Sequence, residues 1–342
     1  MKPDRWPPKA RPPAGRVVRL PVESDLLRAN RLGDPHVRTL PVWLPPGYDA
    51  SSERYPVVHY LVGFTGGGES KLSWKPWSET VPQRLERLLA AGRIAPMIVA
   101  FPDCFTRLGG SQYIDSSVCG PYAAHLTQEL VPLVDRMLRT KASREHRAVV
   151  GKSSGGFGAM VHGMLHPDVW GAVGCHSGDA GFELCFGSSL GKTLEEIARW
   201  GSVAAFLAQF EDKQKRGVHE VHATMHLAMA ACFDPLPEHI DGFCLPLDLH
   251  TGELIPERWE RWLAWDPVQM IPQHEDALRS LRLLFIDCGN RDQYLLHYGA
   301  RQMVSRLKAA GIAHEYEEFS DNHSAVDYRL DVSLPRISRA IL

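Results

Sequence analysis

A chain of 342 residues, 44% apolar and 23% charged, can bury one large core, or a core that carries an insertion. Its formal net charge of −2 gives no electrostatic case for nucleic acid or an anionic membrane, and no apolar run approaches the roughly 18–20 residues that span a bilayer. The segment Met1 to Pro8 lacks the hydrophobic stretch of a secretory leader, and the seven cysteines are scattered without a Cys-x-x-Cys pair. Both observations favour a reducing, cytoplasmic setting over a disulfide framework or a zinc knuckle.

In chain order, residues 1–15 are rich in proline and read as an arm without regular structure. Residues 16–22 and 37–44 alternate like an antiparallel strand pair, which Pro45-Pro46-Gly47 closes. Residues 57–62 and 96–101 are continuous apolar runs, the pattern of central strands covered on both faces. Residues 81–91 and 122–139 carry apolar side chains at helical spacing, Leu126, Leu130, Leu133, Val134 and Met137 in the second. A strand ending at Val150, a helix over 155–166 and a strand over 171–176 follow. The alternation stops near residue 180 and resumes with a strand at 281–286, a helix at 300–310, a strand at 314–319 and a last helix. Strands and helices in this order predict right-handed crossovers and a mostly parallel sheet flanked by helices. The interval 181–280, helical and rich in Trp, His and Pro, reads as a cap inserted into a core made of 16–180 and 281–342.

The stretch that carries chemistry is Arg147-Ala148-Val149-Val150-Gly151-Lys152-Ser153-Ser154-Gly155-Gly156. A buried strand runs into Gly-x-Ser-x-Gly and then into a helix that starts with small residues, the nucleophile elbow of an α/β-hydrolase fold. Ser153 is the expected nucleophile. The N–H of Ser154, at the helix start, is one expected donor to a reaction oxyanion. Gly187-Ser188-Ser189-Leu190-Gly191 repeats the pattern, but no β-branched strand precedes it, and Ser189 reads as a helix-cap serine. Gly151-Lys152-Ser153 also looks like the end of a phosphate-binding loop, yet His146 stands where that loop needs its first glycine.

A serine hydroxyl needs a base to take its proton and an acid to orient that base. The fold orders them Ser, then Asp or Glu, then His, after successive late strands. Behind strand 281–286 stand Asp287, at the strand end where it can cap a turn, and Asp292, past Gly289 where a loop carries it over the sheet edge; Asp292 is favoured. After strand 314–319, Asp321-Asn322-His323-Ser324 supplies the base, His323. The second oxyanion donor is expected in Gly63-Phe64-Thr65-Gly66-Gly67-Gly68, with Phe64 N–H first and Thr65 second.

These residues, with Tyr60-Leu61-Val62, Val99-Ala100-Phe101-Pro102-Asp103 and Ile286-Asp287-Cys288-Gly289-Asn290-Arg291-Asp292-Gln293-Tyr294-Leu295, resemble the putative-esterase family of α/β-hydrolases. That family includes esterase D (S-formylglutathione hydrolase), enterochelin esterases, feruloyl esterases and mycolyltransferases. The resemblance covers about 40–180 and 280–330, and it implies Asp292 as the acid. The interval 180–280 departs from esterase D, and the cysteine of that enzyme's oxyanion loop is missing here.

The expected activity is hydrolysis of carboxylic esters, short-acyl or compact aryl and polar ones, through an acyl-enzyme. Acyl transfer with the same triad, or thioester hydrolysis, is the alternative. No cofactor is expected. A small-molecule ester is the expected partner, with no nucleic acid and no membrane, and self-association is left open. His219, His222 and His226 fall on one helix face; a pocket-lining or packing face is preferred to a metal site, since no Asp or Cys completes one. Trp259, Trp262 and Trp265 read as core or lid packing before an aryl platform, with Trp262 and His222 as candidate substrate contacts. His176 and Asp179 either line the site or cap a loop, and Thr65 is a further candidate contact.

Overall fold

The computed structural model describes residues 14–342, so the proline-rich arm expected at the amino terminus lies almost wholly outside the described residues. Eight strands form one sheet: β1 (Arg16–Glu23), β2 (Val37–Leu44), β3 (Val57–Leu61), β4 (Ile98–Ala100), β5 (Arg147–Lys152), β6 (Ala172–His176), β7 (Leu283–Gly289) and β8 (Glu315–Phe319). Their spatial order is β1-β2-β4-β3-β5-β6-β7-β8. Only β1 with β2 and β2 with β4 are antiparallel; every later pair is parallel, as the crossovers require. This is the α/β-hydrolase architecture expected from the sequence.

Both faces are covered. On one, α1 (Val81–Ala90) and α8 (Leu330–Ile341) set Val81, Leu85, Leu88, Leu334 and Ile337 against Val58, Tyr60, Val99 and Val150. Helix α1 starts where Thr80 and Gln83 satisfy each other's backbone N–H groups in a capping box, with a proline in the first turn. On the other face lie α2 (Ser154–Leu165), α7 (Leu296–Ala309) and the helix of residues 122–137. That last helix differs from the expected regular one. Its middle, His125–Leu130, is π-helical, and Val131–Met137 follows with Pro132 in its first turn. Pro132 has no N–H for the regular i−4 bond and its ring crowds that carbonyl, so the widened turn passes the proline without a break.

Between β6 and β7 run α3 (Leu190–Ala198), α4 (Val203–Asp212), α5 (Val218–Phe233) and α6 (Pro256–Leu263), with short turns of helix around them. Their buried residues Phe206, Leu227, Phe233 and Trp262 belong to the same continuous core as Phe157 and Met160 of α2. No helix among the described residues is long and apolar enough to cross a membrane.

The register brings the carboxyl ends of the strands to one edge. Leu61 pairs with Gly151, Lys152 with His176, His176 with Asp287, and Gly289 with Phe319. The loops after β3, β5, β7 and β8 therefore leave the sheet side by side.

Candidate active site

Ser153 sits between β5 and α2 with φ 59° and ψ −127°, a region that non-glycine residues avoid at a cost of about 1–3 kcal/mol. Packing enforces that conformation. A Cβ on Gly151 would come 2.1 Å from the Gly155 carbonyl oxygen, and one on Gly155 would come 2.2 Å from the Leu61 oxygen. Only hydrogen fits at either place, so the strand can turn into the helix within three residues and leave the Ser153 hydroxyl on the rim.

Asp292 and His323 meet at the same edge. His323 Nδ1 lies 2.7 Å from Asp292 Oδ2, and Asp292 Oδ1 accepts the Tyr294 N–H at 2.9 Å. The backbone N–H of His323 donates to Gln293 Oε1 at 3.0 Å, and the Tyr294 ring stands edge-on to the imidazole with centroids 4.9 Å apart. A carboxylate can only accept, so the proton belongs on Nδ1 and the Nε2 lone pair is left free. Ser153 and His323 line one cavity of about 670 Å³.

The loop after β3 closes over the serine. A Cβ on Gly63 would lie 3.2 Å from Ser153 Cβ. Thr65 N–H is already donated to the Gly109 oxygen at 2.8 Å, and Gly66 N–H to Gly63. Among the described residues the N–H groups of Phe64 and Ser154 have no acceptor within the protein, and both residues line the cavity. Thr65 lines it too, at φ 64°.

Of the two aspartates in the 287–292 stretch, Asp287 lies elsewhere. It faces His176 across the β6–β7 register, with Oδ1 2.7 Å from His176 Nδ1, while Arg329 Nε donates to its Oδ2 at 2.9 Å. His176 Nε2 meets Ser333 Oγ of α8 at 2.9 Å. This second Ser-His-Asp set is sealed beneath the sheet edge, with Ser333 and Asp287 almost fully buried, and His176 does not reach the cavity. Asp179 does. Its Oδ2 accepts Gln112 Nε2 at 3.1 Å and Ser154 Oγ at 3.2 Å, and burial pushes its carboxyl up to about 6.

From the interval between β6 and β7, α5 lines the cavity with Val218, Val221, His222 and Met225. The His222 ring stands edge-on to Tyr294, which joins α5 to the loop that holds Asp292 and His323. The three histidines of α5 diverge: His219 is exposed, while His226 is fully buried against Thr193 Oγ1 at 2.6 Å and Ser189 Oγ at 3.3 Å. Ser189 precedes α3 but caps nothing; its hydroxyl donates to the Phe186 carbonyl instead. Trp262 is fully buried among Phe186, Phe233 and Trp259, outside the cavity.

The putative esterase family model matches residues 33–339. The chain belongs to the putative esterase family. Esterase Rv1288 of Mycobacterium tuberculosis is 33% identical over 299 residues, 82% of this chain and 51% of that protein. An endo-1,4-beta-xylanase/feruloyl esterase of Xylanibacter ruminicola is 31% identical over 146 residues, 42% of this chain and 20% of that protein. The chain thus spans at most about half the length of these two relatives. Among solved structures, a ferulic acid esterase superposes with a TM-score of 0.61 at 20% identity, over 96% of this chain and 99% of that one. An S-formylglutathione hydrolase from Agrobacterium tumefaciens gives 0.58 at 17%, over 96% and 97%. At these identities the likeness is one of fold.

The sequence reading did not single out four residues of this family member's cavity wall: Lys71, Lys152, Arg216 and Tyr294. Tyr294 carried a signal, two residues past the acid in the same loop. Lys71 ends the short helical turn that follows the Gly63–Gly68 loop, and Arg216 lies in a loop far from any motif, which only the folded chain brings to the site.

Proposed function

We propose that this protein is a serine hydrolase that cleaves carboxylic esters through an acyl-enzyme on Ser153. The observation that carries the reading is the Asp292–His323 pair, 2.7 Å apart, on the rim of the cavity that also takes in the strained Ser153. The Ser153 hydroxyl and His323 Nε2 close to hydrogen-bonding distance as substrate seats, a contact that commonly tightens only in the complex. Nε2 takes the proton as Oγ attacks the ester carbonyl. The tetrahedral oxyanion is met by the idle N–H groups of Phe64 and Ser154, and the imidazolium, steadied by Asp292, returns the proton to the departing alcohol. Water then attacks the acyl-enzyme by the same route, with His323 again as base, and releases the acid.

The interval 181–280 acts as a cap that sets the substrate range. Val218, Val221 and Met225 with Phe64 and Phe186 give the cavity apolar walls, and its 670 Å³ suits a short acyl or compact aryl ester better than a long-chain triglyceride. The relative named as an endo-1,4-beta-xylanase/feruloyl esterase supports the aryl option.

The test is a fluorophosphonate label and an ester panel. Ser153 alone is expected to be labelled, and Ser153→Ala to lose about 10³-fold or more on p-nitrophenyl acetate. Labelling elsewhere, or retained turnover, overturns the assignment. Dominant transfer to added alcohol or sugar over hydrolysis assigns acyl transfer instead.

A further inference from the structure

Four residues that carry full charges line the cavity: the cations Lys71, Lys152 and Arg216, and the single carboxylate Asp179. The chain as a whole is formally −2, whereas the charged groups on this cavity wall sum to a positive charge. The three cations differ in their partners. Asp327 uses both oxygens on Lys71, at 3.1 and 3.2 Å. Among the described residues Arg216 donates to the carbonyls of Phe210 and Glu211 alone, at 2.9 and 3.0 Å. Lys152, directly before Ser153, lines the cavity, is half-buried, and makes no ion pair and no side-chain hydrogen bond among the described residues. Burial above all lowers its pKa; the more distant charges of Asp327 and Asp292 work against that shift and those of Lys71 and Lys75 add to it, so no carboxylate pairs with it directly. Asp179 already receives two hydrogen bonds, from Gln112 and Ser154.

We propose that the cavity contains an anion subsite centred on Lys152, and that the esters it accepts carry a carboxylate or phosphate in the acyl or alcohol part. The inference rests on the reading of Ser153 as an ester-cleaving nucleophile and names the substrate class of that site. An anionic group seated there gives Lys152 the partner it lacks, and the apolar wall of α5 takes the remainder of the molecule. Because Lys152 and Ser153 are consecutive, a charge bound by the first fixes the distance of the scissile carbonyl from the second.

The experiment compares matched esters that differ in charge. 4-Acetoxybenzoate is set against 4-acetoxybenzamide, 4-acetoxyphenyl phosphate against 4-acetoxyanisole, and 4-nitrophenyl hydrogen adipate against 4-nitrophenyl methyl adipate. At low ionic strength the wild-type protein is expected to favour the anionic member of at least one pair by about fivefold or more in kcat/KM. The pair with the largest ratio identifies the anion and the side of the ester that carries it. Lys152→Met is expected to collapse the ratio, Lys152→Arg to keep most of it, and 0.5 M salt to shrink it. Neutral members preferred in every pair, or a ratio unchanged in Lys152→Met, overturns the subsite. A second readout does not depend on turnover: Ser153→Ala should bind 4-hydroxybenzoate more tightly than 4-hydroxybenzamide by calorimetry, and Lys152→Met should remove the difference. Failure of all turnover with that binding difference intact counts against the esterase reading alone; equal affinities count against the subsite alone.

Discussion

Asp287 and Asp292 lie five residues apart, and the loop between them gives them opposite tasks. Asp287 ends a buried ladder of His176, Arg329 and Glu317, while Asp292 leaves the sheet and meets His323. Asp292→Asn is expected to leave the fold intact and lower kcat by about 10⁴, because the amide holds the wrong imidazole tautomer. Asp287→Ala should strand the Arg329 and His176 groups and lower stability by about 3 kcal/mol, read as a fall in thermal midpoint, with residual folded protein still turning over. Reversed effects would exchange the two roles. Asp179 gives a third test. Its carboxyl is pushed from 3.8 to about 6 chiefly by burial, so the folded state holds the proton more tightly than the unfolded chain. That contribution is fully present below 3.8 and lost as pH rises through 6, so at neutral pH the ionised group costs about 3 kcal/mol. Asp179→Asn should therefore raise the melting temperature at pH 7.5, and a lower one would show that the charge is needed for the fold. The elbow was readable in sequence because its strand, glycines and serine stand together in one short stretch, although the collision that excludes a side chain at Gly155 is with Leu61 of β3. The preference for Asp292 came from its place past Gly289, but the pairing of Asp287 with His176 needed the β6–β7 register, which no local pattern carries.

Among the elements, α5 connects the interval after β6 to the site. Its sequence spaces His219, His222 and His226 as one face, but such a face meets different neighbours along its length. His222 reaches the cavity and Tyr294, and His226 is closed in by α3. Trp262 on α6 is likewise a core residue: fully buried, it packs edge-on to Phe186 and Phe233. Helical periodicity names an apolar face without naming what covers it, which is why the sequence could not sort these side chains. The two substitutions should separate cleanly. Trp262→Ala is expected to lose about 3–5 kcal/mol of stability in denaturant unfolding, with relative rates across an ester panel unchanged in the folded fraction. His222→Ala should change stability little and alter the ranking of aryl against alkyl esters. An unaltered ranking would show that α5 does not shape the pocket.

For the whole molecule, the order of strands and helices was legible from alternating buried runs, because a sheet covered on both faces leaves few other patterns. The π-helical turn at residues 125–130 was not, since one extra residue in a turn barely disturbs helical spacing. Nor was the fate of sixteen histidines, and their burial sets the response of the fold to acid. His59, His162 and His226 are each pushed down to about 3, by burial above all. His162 and His226 have neutral hydrogen-bond partners in Tyr113, Trp170, Thr193 and Ser189, and both ring nitrogens of His59 are buried without any. A folded-state pKa below the unfolded value of 6.5 means that the unfolded chain binds the extra protons. The stability from these neutral rings is complete above 6.5 and is lost as pH falls toward 3. At pH 5 each ring costs about 2 kcal/mol, about 6 kcal/mol for the three, against a total stability of about 5–15 kcal/mol for a typical domain. The carboxyls of Asp179, Asp34, Glu86 and Asp266, which burial raises, oppose this over part of the same range, while His125 and His166, lowered by burial, add to it. The melting temperature should therefore be level from pH 8 to 7 and fall steeply below 6. His59→Leu should recover part of the loss at pH 5, since it removes one of the three protons together with two unsatisfied nitrogens. A melting temperature that stays level down to pH 5 would mean that these rings take up protons within the folded core.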